Sequence, residues 1–208
     1  MEAVTIVIPT RNRWEQLKRT MKNLKEVHCP DMKIVIVCDG DKETYKRADV
    51  LYGEEAKIYL IERSEYVKTT RFGIEKADTE FIVFYSDDFK MDKNCLKIAM
   101  KYFLENFKDG LGVIKFNDKF NEKVATVGLT TKKTIELLDA FNPEYKHYYV
   151  DTEIGFRAEK QGIFKYLKEA VCEHLHWSAN KSEKDQTYNE SEKLLKDDRA
   201  TYIKRGNY

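Results

Sequence analysis

Two adjacent carboxylates, Asp87 and Asp88, follow the run Phe81-Ile82-Val83-Phe84-Tyr85 with Ser86 between. An uninterrupted run of apolar and aromatic residues predicts a strand buried on both faces, as in the middle of a parallel sheet. Its carboxyl end is where open α/β sheets bind ligands. Paired carboxylates at such an end suit a hard divalent cation that shares its oxygen ligands with phosphate. The competing reading is that they end the strand and cap the next helix. A second set of candidate ligands stands late in the chain, where Cys172, His174 and His176 alternate and so share one face of a strand. A Cys-x-His-x-His zinc cluster, however, lacks an evident fourth ligand at a suitable spacing.

The elements that must position these groups alternate between strand and helix. Val4 to Ile8 is a β-branched run closed by Pro9. Asn12 is expected to open a helix, with Glu15 completing a capping box, and Trp14, Leu17, Met21, Leu24 and Val27 follow at helical spacing as its buried stripe. Lys33 to Cys38 is a second strand ending in Asp39-Gly40-Asp41, and a right-handed βαβ unit then puts Thr10 and Asp39 on one edge. Ala56 to Ile61 reads as a third strand, Tyr66 to Ala77 as a helix, and Asp92 as the cap of a helix running to about Asn106.

Beyond Gly110 and Gly112 the pattern loosens. Val113–Phe116 and Val124–Val127 are short strand candidates, and Thr131–Ala140 is a helix. Asp151 and Glu153 open a helix that Gly162 stops, where carboxylates favour the N-terminus electrostatically. Phe164–Leu167 and Ala170–His174 look like strands. The expected organisation is a single α/β domain over residues 1–178, with a mostly parallel central sheet flanked by helices. Residues 179–208 form a polar C-terminal helix or tail packed on it, with Tyr188, Leu195 and Tyr202 on one stripe. The first strand is followed by no GxGxxG and the chain holds no GxxxxGK[ST], which sets aside common dinucleotide folds and P-loop enzymes.

Composition narrows the function classes. With 37 basic and 36 acidic residues and no basic block, nucleic acid is not an expected partner. The four cysteines (Cys29, Cys38, Cys95, Cys172) have no framework spacing, so a reducing cytoplasm is the simpler setting. No signal peptide is evident, and no apolar run approaches the roughly 18 residues of a membrane span. Membrane association, if any, is then peripheral.

The motifs, taken in order, resemble a known family. They are Val-Thr-Ile-Val-Ile-Pro-Thr-Arg-Asn-Arg at 4–13, Ile-Val-Cys-Asp-Gly at 36–40, Thr-Arg-Phe-Gly-Ile at 70–74, Ser-Asp-Asp at 86–88, Val-Asp-Thr-Glu at 150–153 and Ala-Val-Cys-Glu-His at 170–174. Together they resemble family 2 glycosyltransferases of the Rossmann-like GT-A fold, over Val4 to about Trp177.

The resemblance implies transfer of a sugar from a nucleotide-diphospho sugar (UDP or GDP) to a hydroxyl acceptor, a glycan, lipid or protein, with Mn2+ or Mg2+ and inversion at the sugar. It implies nucleotide-binding roles for Pro9, Thr10, Arg11, Asp39, Arg71 and Asp87, with Asp39 taking a base N–H and Asp87 the ribose. It also implies metal ligation by Asp88 and His174. Asp151 is implied as the catalytic base, with Glu153 and His176 as acceptor-side or secondary residues. Ser86 and Val150 depart from the family's metal and base motifs, whose usual residues there are acidic. Phe116, Phe120, Tyr145, Tyr148 and Tyr149 are candidates either for stacking on sugars or for the core. A homodimer is compatible with all of this. The alternatives are a nucleotidyltransferase, which usually wants a glycine-rich loop after the first strand, and a non-catalytic sugar-nucleotide-binding or structural protein.

Overall fold

The computed structural model describes residues 2–29 and 31–206, so the ends of the two expected units, 1 and 207–208, and Pro30 lie outside the described residues. Strand β1 (Val4–Thr10) organises the sheet because every one of its residues is buried. Val4, Ile6 and Ile8 pack on one face against Leu17, Met21 and Leu24 of helix α1 (Trp14–Leu24), while Val7 packs on the other with Ile82 and Phe84. A strand with apolar side chains on both faces is stable only between two helical layers, and parallel strands lie on either side of it. These are β2 (Met32–Asp39) and β4 (Phe81–Phe84), with β3 (Lys57–Ile61) parallel beyond β2. Register pairs Thr10 with Cys38 and Val7 with Phe84, so Thr10, Asp39 and Asp87-Asp88 emerge along one carboxyl edge. Because β2 and β3 lie to one side of β1 and β4 to the other, that edge contains a topological switch point.

The other half of the sheet is mixed. β7 (Gly128–Thr131) runs antiparallel to β4, and β6 (Val113–Asn117) antiparallel to β7. β8 (Phe164–His174) is parallel to β6, and β5 (Phe89–Met91) closes the order β3-β2-β1-β4-β7-β6-β8-β5. The helices are α2 (Lys42–Tyr52), α3 (Glu65–Lys76), α4 (Cys95–Asn106), α5 (Lys132–Leu138), α6 (Val150–Lys160), α7 (Gln186–Glu192) and α8 (Leu195–Lys204). Among the described residues no helix is long and apolar enough to cross a membrane.

The expected single α/β domain with its central sheet is thus present, with local corrections. Asn12 and Glu15 form no capping box: the helix is preceded by Arg13 without a side-chain cap, Asn12 has φ 52°, and its N–H donates to Asp41 Oδ2 at 2.7 Å. Val124–Val127 is loop, and the strand begins at Gly128, where a Cβ would collide with the carbonyl of Ile114 and only glycine permits the approach. The two strand candidates after Gly162 are one strand, β8, its pairing with β6 shifted by a bulge at Phe116/Asn117. Helix α2 escapes periodicity reading because Val50 and Leu51 face solvent and its buried residues are Thr44, Ala48 and Tyr52. The C-terminal segment is two helices: Tyr188 is buried, Leu195 is exposed, and Tyr202 packs on Tyr149, so no single stripe joins them.

Candidate active site

A cavity of about 380 Å³ opens at the carboxyl edge of β1, β2 and β4. Of the residues singled out from sequence, Pro9, Thr10, Arg11, Asp39, Asp87, Asp88, Asp151, His174 and His176 line it. Arg71 and Glu153 do not. Arg71 lies on the exposed face of α3, 3.4 Å from Glu75 one turn on. Glu153 is buried between helices, 2.5 Å from Arg157 and 3.0 Å from Arg205.

The carboxylate pair after β4 is buried rather than exposed, and donors surround it. Asp87 accepts from Thr10 Oγ1 at 2.7 Å and from Arg13 Nη1 at 3.2 Å. Asp88 Oδ1 accepts from Ser86 Oγ at 2.5 Å, while Oδ2 accepts from Tyr188 Oη at 2.8 Å and lies 3.5 Å from both Arg13 Nη1 and His174 Nε2. Burial pushes the Asp87 carboxyl up, with Arg13 opposing. Burial acts on Asp88 as well, but His174 and then Arg13 and Ser86 outweigh it and hold that carboxyl well below the usual range. The negative charge of the pair therefore rests most firmly on Asp88. Ser86 orients Asp88 by donating to it.

At this edge Asp88 Oδ2 and His174 Nε2 lie 3.5 Å apart, a carboxylate oxygen and an imidazole that a divalent cation would meet, and among the described residues no group of three or more His, Cys, Asp or Glu is arranged to hold an ion. Mg2+ and chemically similar ions are commonly held by one or two carboxylates with water and substrate phosphates completing the shell. Of the alternating Cys172, His174 and His176, Cys172 is wholly buried in the core while both histidines line the cavity.

Asp39 ends β2 with both oxygens engaged: Ser64 N–H donates to Oδ1 at 2.6 Å, and Arg63 pairs with Oδ2. Each oxygen retains a lone pair for a further donor. Arg11 Nη1 donates to the Asp39 carbonyl at 3.2 Å, so the first two strand ends are tied together.

Helix α6 presents Asp151 to the cavity from its first turn. Desolvation in the cavity wall raises its carboxyl above the ordinary value, against the N–H and hydroxyl of Thr152, which hold Oδ1 at 2.8 and 3.4 Å. Val150 is buried in the second core cluster and seats the helix. Gly155 lets α6 press on the loop before β7, since a Cβ there would meet the Lys123 carbonyl. That loop brings Phe120, Asn121 and Thr126 to the cavity and is anchored by the buried pair Lys115–Asp118 at 2.6 Å. Of the aromatic candidates, Phe116 and Tyr145 are core, Phe120 is 52% exposed at the rim, Tyr148 lines the cavity, and Tyr149 packs on Tyr202.

Sequence reading missed Arg13, Arg63, Tyr66, His147 and Tyr188, all of which line the cavity. Arg63 was accessible to the logic that found Asp39, since it follows the end of β3 on the same edge. Tyr66 lies close enough to Asp151 for that charge, after burial, to raise its hydroxyl further. Burial, and next Arg13, pull His147 down to about 4, so this imidazole is neutral. The wall it belongs to is pinned by Asp198 of α8, whose carboxylate accepts the backbone N–H groups of Lys146, His147 and Tyr148 at 2.9, 2.8 and 2.8 Å.

The architecture is shared with solved structures. S. aureus TarS 1-349 in complex with UDP is similar with TM-score 0.68 and 16% identity, over 82% of this chain and 59% of that one. The mannosyltransferase PcManGT from Pyrobaculum calidifontis, in complex with GDP-Man and Mn2+, is similar with TM-score 0.68 and 17% identity, over 98% and 64%. The chain spans 36% of the longer S. aureus TarS structure, at TM-score 0.68 and 15% identity over 82% of its own length. No curated protein matches the sequence. Residues 5–160 match the family model described as Glycosyl transferase family 2, which takes in β1 through α6 and thus the strand ends and Asp151. The chain belongs to glycosyl transferase family 2.

Proposed function

We propose that this protein is a metal-dependent, inverting glycosyltransferase that moves a sugar from a UDP- or GDP-sugar to a hydroxyl acceptor. The supporting observation is the convergence of Asp39 from the end of β2, Asp87 and Asp88 from the end of β4, and Asp151 from α6 onto one cavity. The carboxylates are not equivalent. Asp39 stands at the nucleotide end, where an imide N–H of uracil or the ring N–H of guanine adds a charge-assisted donor. Asp87 faces the ribose, and Arg11 and Arg13 offer guanidinium forks to the phosphates.

Asp88 and His174 would hold Mn2+ or Mg2+, which when bound offsets negative charge on the departing nucleoside diphosphate. Asp151, with its raised carboxyl in the cavity lining, takes the proton of the acceptor hydroxyl as that oxygen attacks the anomeric carbon. One carbon–oxygen bond forms as the sugar–phosphate bond breaks, and a single displacement inverts the centre. Phe120 and Tyr148 on the acceptor side suit the apolar face of a sugar ring.

Thermal stabilisation by a panel of sugar nucleotides, with and without manganese, tests the reading, because ligands that bind the folded state raise Tm. One UDP- or GDP-sugar is expected to stabilise in manganese and to release its nucleoside diphosphate slowly in the absence of an acceptor. Stabilisation by none of them would overturn the proposal.

A further inference from the structure

Helix α7 forms part of the cavity wall through Thr187, Tyr188 and Ser191, and Asp185 and Glu190 pair with the arginines at the strand ends. Asp185 holds Arg13 through two bonds, 2.7 and 3.2 Å, and Glu190 holds Arg11 at 3.3 and 3.2 Å while lying 3.9 Å from Arg63. Tyr188 lays its ring on the Arg13 guanidinium, 4.1 Å to the centroid, and donates its hydroxyl to Asp88 Oδ2 at 2.8 Å. Thr187 Oγ1 donates to the Arg11 carbonyl at 3.0 Å. Arginine forks that hold carboxylates are equally suited to phosphates, and one partner excludes the other. Likewise, the Asp88 oxygen that accepts the tyrosine proton is the one nearest His174, where a cation would sit.

The segment is also built to leave. A helix of seven residues has little stability of its own. It buries Tyr188 and Ser191, so its place depends on the contacts just described. The chain before it, Asn180-Lys181-Ser182-Glu183-Lys184, is polar. The helix after it is fixed by Asp198 under the loop at 146–148 and by Arg205 on Glu153. The site is thus bounded by α8, fixed to the loop at 146–148 and to Glu153, and by a short α7 held by side-chain contacts to the strand ends.

We propose that residues 185–191 are an autoinhibitory arm that imitates a metal-bound diphosphate. The Asp185 and Glu190 carboxylates stand where phosphates bind the arginines, and the Tyr188 hydroxyl stands where the cation meets Asp88. Binding of the donor displaces the arm, so apparent affinity is lowered by the fraction of molecules with the arm closed. This regulation rests on the proposed nucleotide-sugar reading of the same site.

Calorimetric titration with inorganic diphosphate in manganese, and separately with UDP and GDP, tests it on three variants of the full chain. Asp185→Asn/Glu190→Gln keeps the cap and shape of α7 while removing both carboxylates. Its affinity for diphosphate is expected to rise about tenfold. Glu183→Gln/Glu192→Gln changes net charge equally on side chains that flank the arm and do not line the cavity, and is expected to gain little. Tyr188→Phe, which drops only the hydroxyl, is expected to move in the direction of the first variant and serves if that variant fails to fold. No gain in either arm variant, a loss, or an equal gain in the charge control overturns the arm. Tighter diphosphate binding with no UDP or GDP binding in any protein keeps the arm and removes the nucleotide-sugar reading. UDP or GDP binding without a gain in the arm variants does the reverse.

Discussion

Glu153 Oε1 lies 3.0 Å from Arg205 Nε, and this pair turns Glu153 into the seam between α6 and the end of α8, away from the cavity that holds Asp151. Two carboxylates in one helical turn therefore have different work. Removing one partner of a buried ion pair leaves the others uncompensated, so Glu153→Ala is expected to cost about 3 kcal/mol of stability. Denaturant unfolding checks the loss, and turnover per folded molecule should stay near wild type. A turnover collapse in a stable Glu153→Ala protein would return Glu153 to the chemistry.

Asp151→Asn preserves size and removes basicity. Turnover is expected to fall roughly 10²–10⁴-fold with little change in donor affinity, measured by steady-state kinetics once an acceptor is identified. Stability should move the other way. Burial raises the Asp151 carboxyl in the folded protein above its unfolded value of about 3.9, so the folded state binds the proton more tightly. The resulting stabilisation is complete below pH 4 and is lost as pH rises through the folded value. Asparagine never ionises, so the variant should melt higher than wild type at pH 7, and that advantage should vanish near pH 3. An equal Tm difference at both pH values would show that Asp151 is not desolvated.

At the nucleotide end, Asp39→Ala is expected to cost about 1.5–3 kcal/mol in UDP or GDP affinity and to leave inorganic diphosphate nearly unaffected. Calorimetry with both ligands decides it. Because Asp39 also orients Arg63 and the Ser64 N–H, a parallel loss for both ligands would mean that it acts by shaping the edge.

Ser86 and Asp88 separate ligation from orientation. Asp88→Asn should abolish the effect of manganese on UDP or GDP binding while binding in chelator persists. Ser86→Ala, which removes the 2.5 Å bond to Asp88 Oδ1, should weaken manganese-dependent binding by roughly tenfold. Manganese dependence that survives Asp88→Asn would place the ion elsewhere.

Strand ends were legible because an apolar run followed by a carboxylate has few other meanings, and Asp39, Asp87 and Asp88 all reach the cavity. Residues on helices were less so, since spacing alone does not say which face turns inward. Arg71 and Glu153 sit within motifs yet face Glu75 and Arg205. Arg63, in no motif, pairs with Asp39 because it follows β3 on the same edge. Tyr188 was invisible for a different reason: its partner Asp88 is 100 residues away, and no local pattern encodes a contact at that separation. The strand β7 was displaced by a few positions because Gly128, a poor strand former, is required by a close backbone approach rather than by propensity.

The burial of β1 on both faces has a kinetic side. It draws one neighbour, β2, from close by in the chain, but the other, β4, begins only at Phe81. A chain folded as far as β3 leaves one edge of β1 without a hydrogen-bonding partner and with apolar side chains on both sides, a template for strands of other copies. Non-local pairing is slow because loop closure precedes its reward. Docking of β4 thus competes with association, and refolding yield should fall as protein concentration rises.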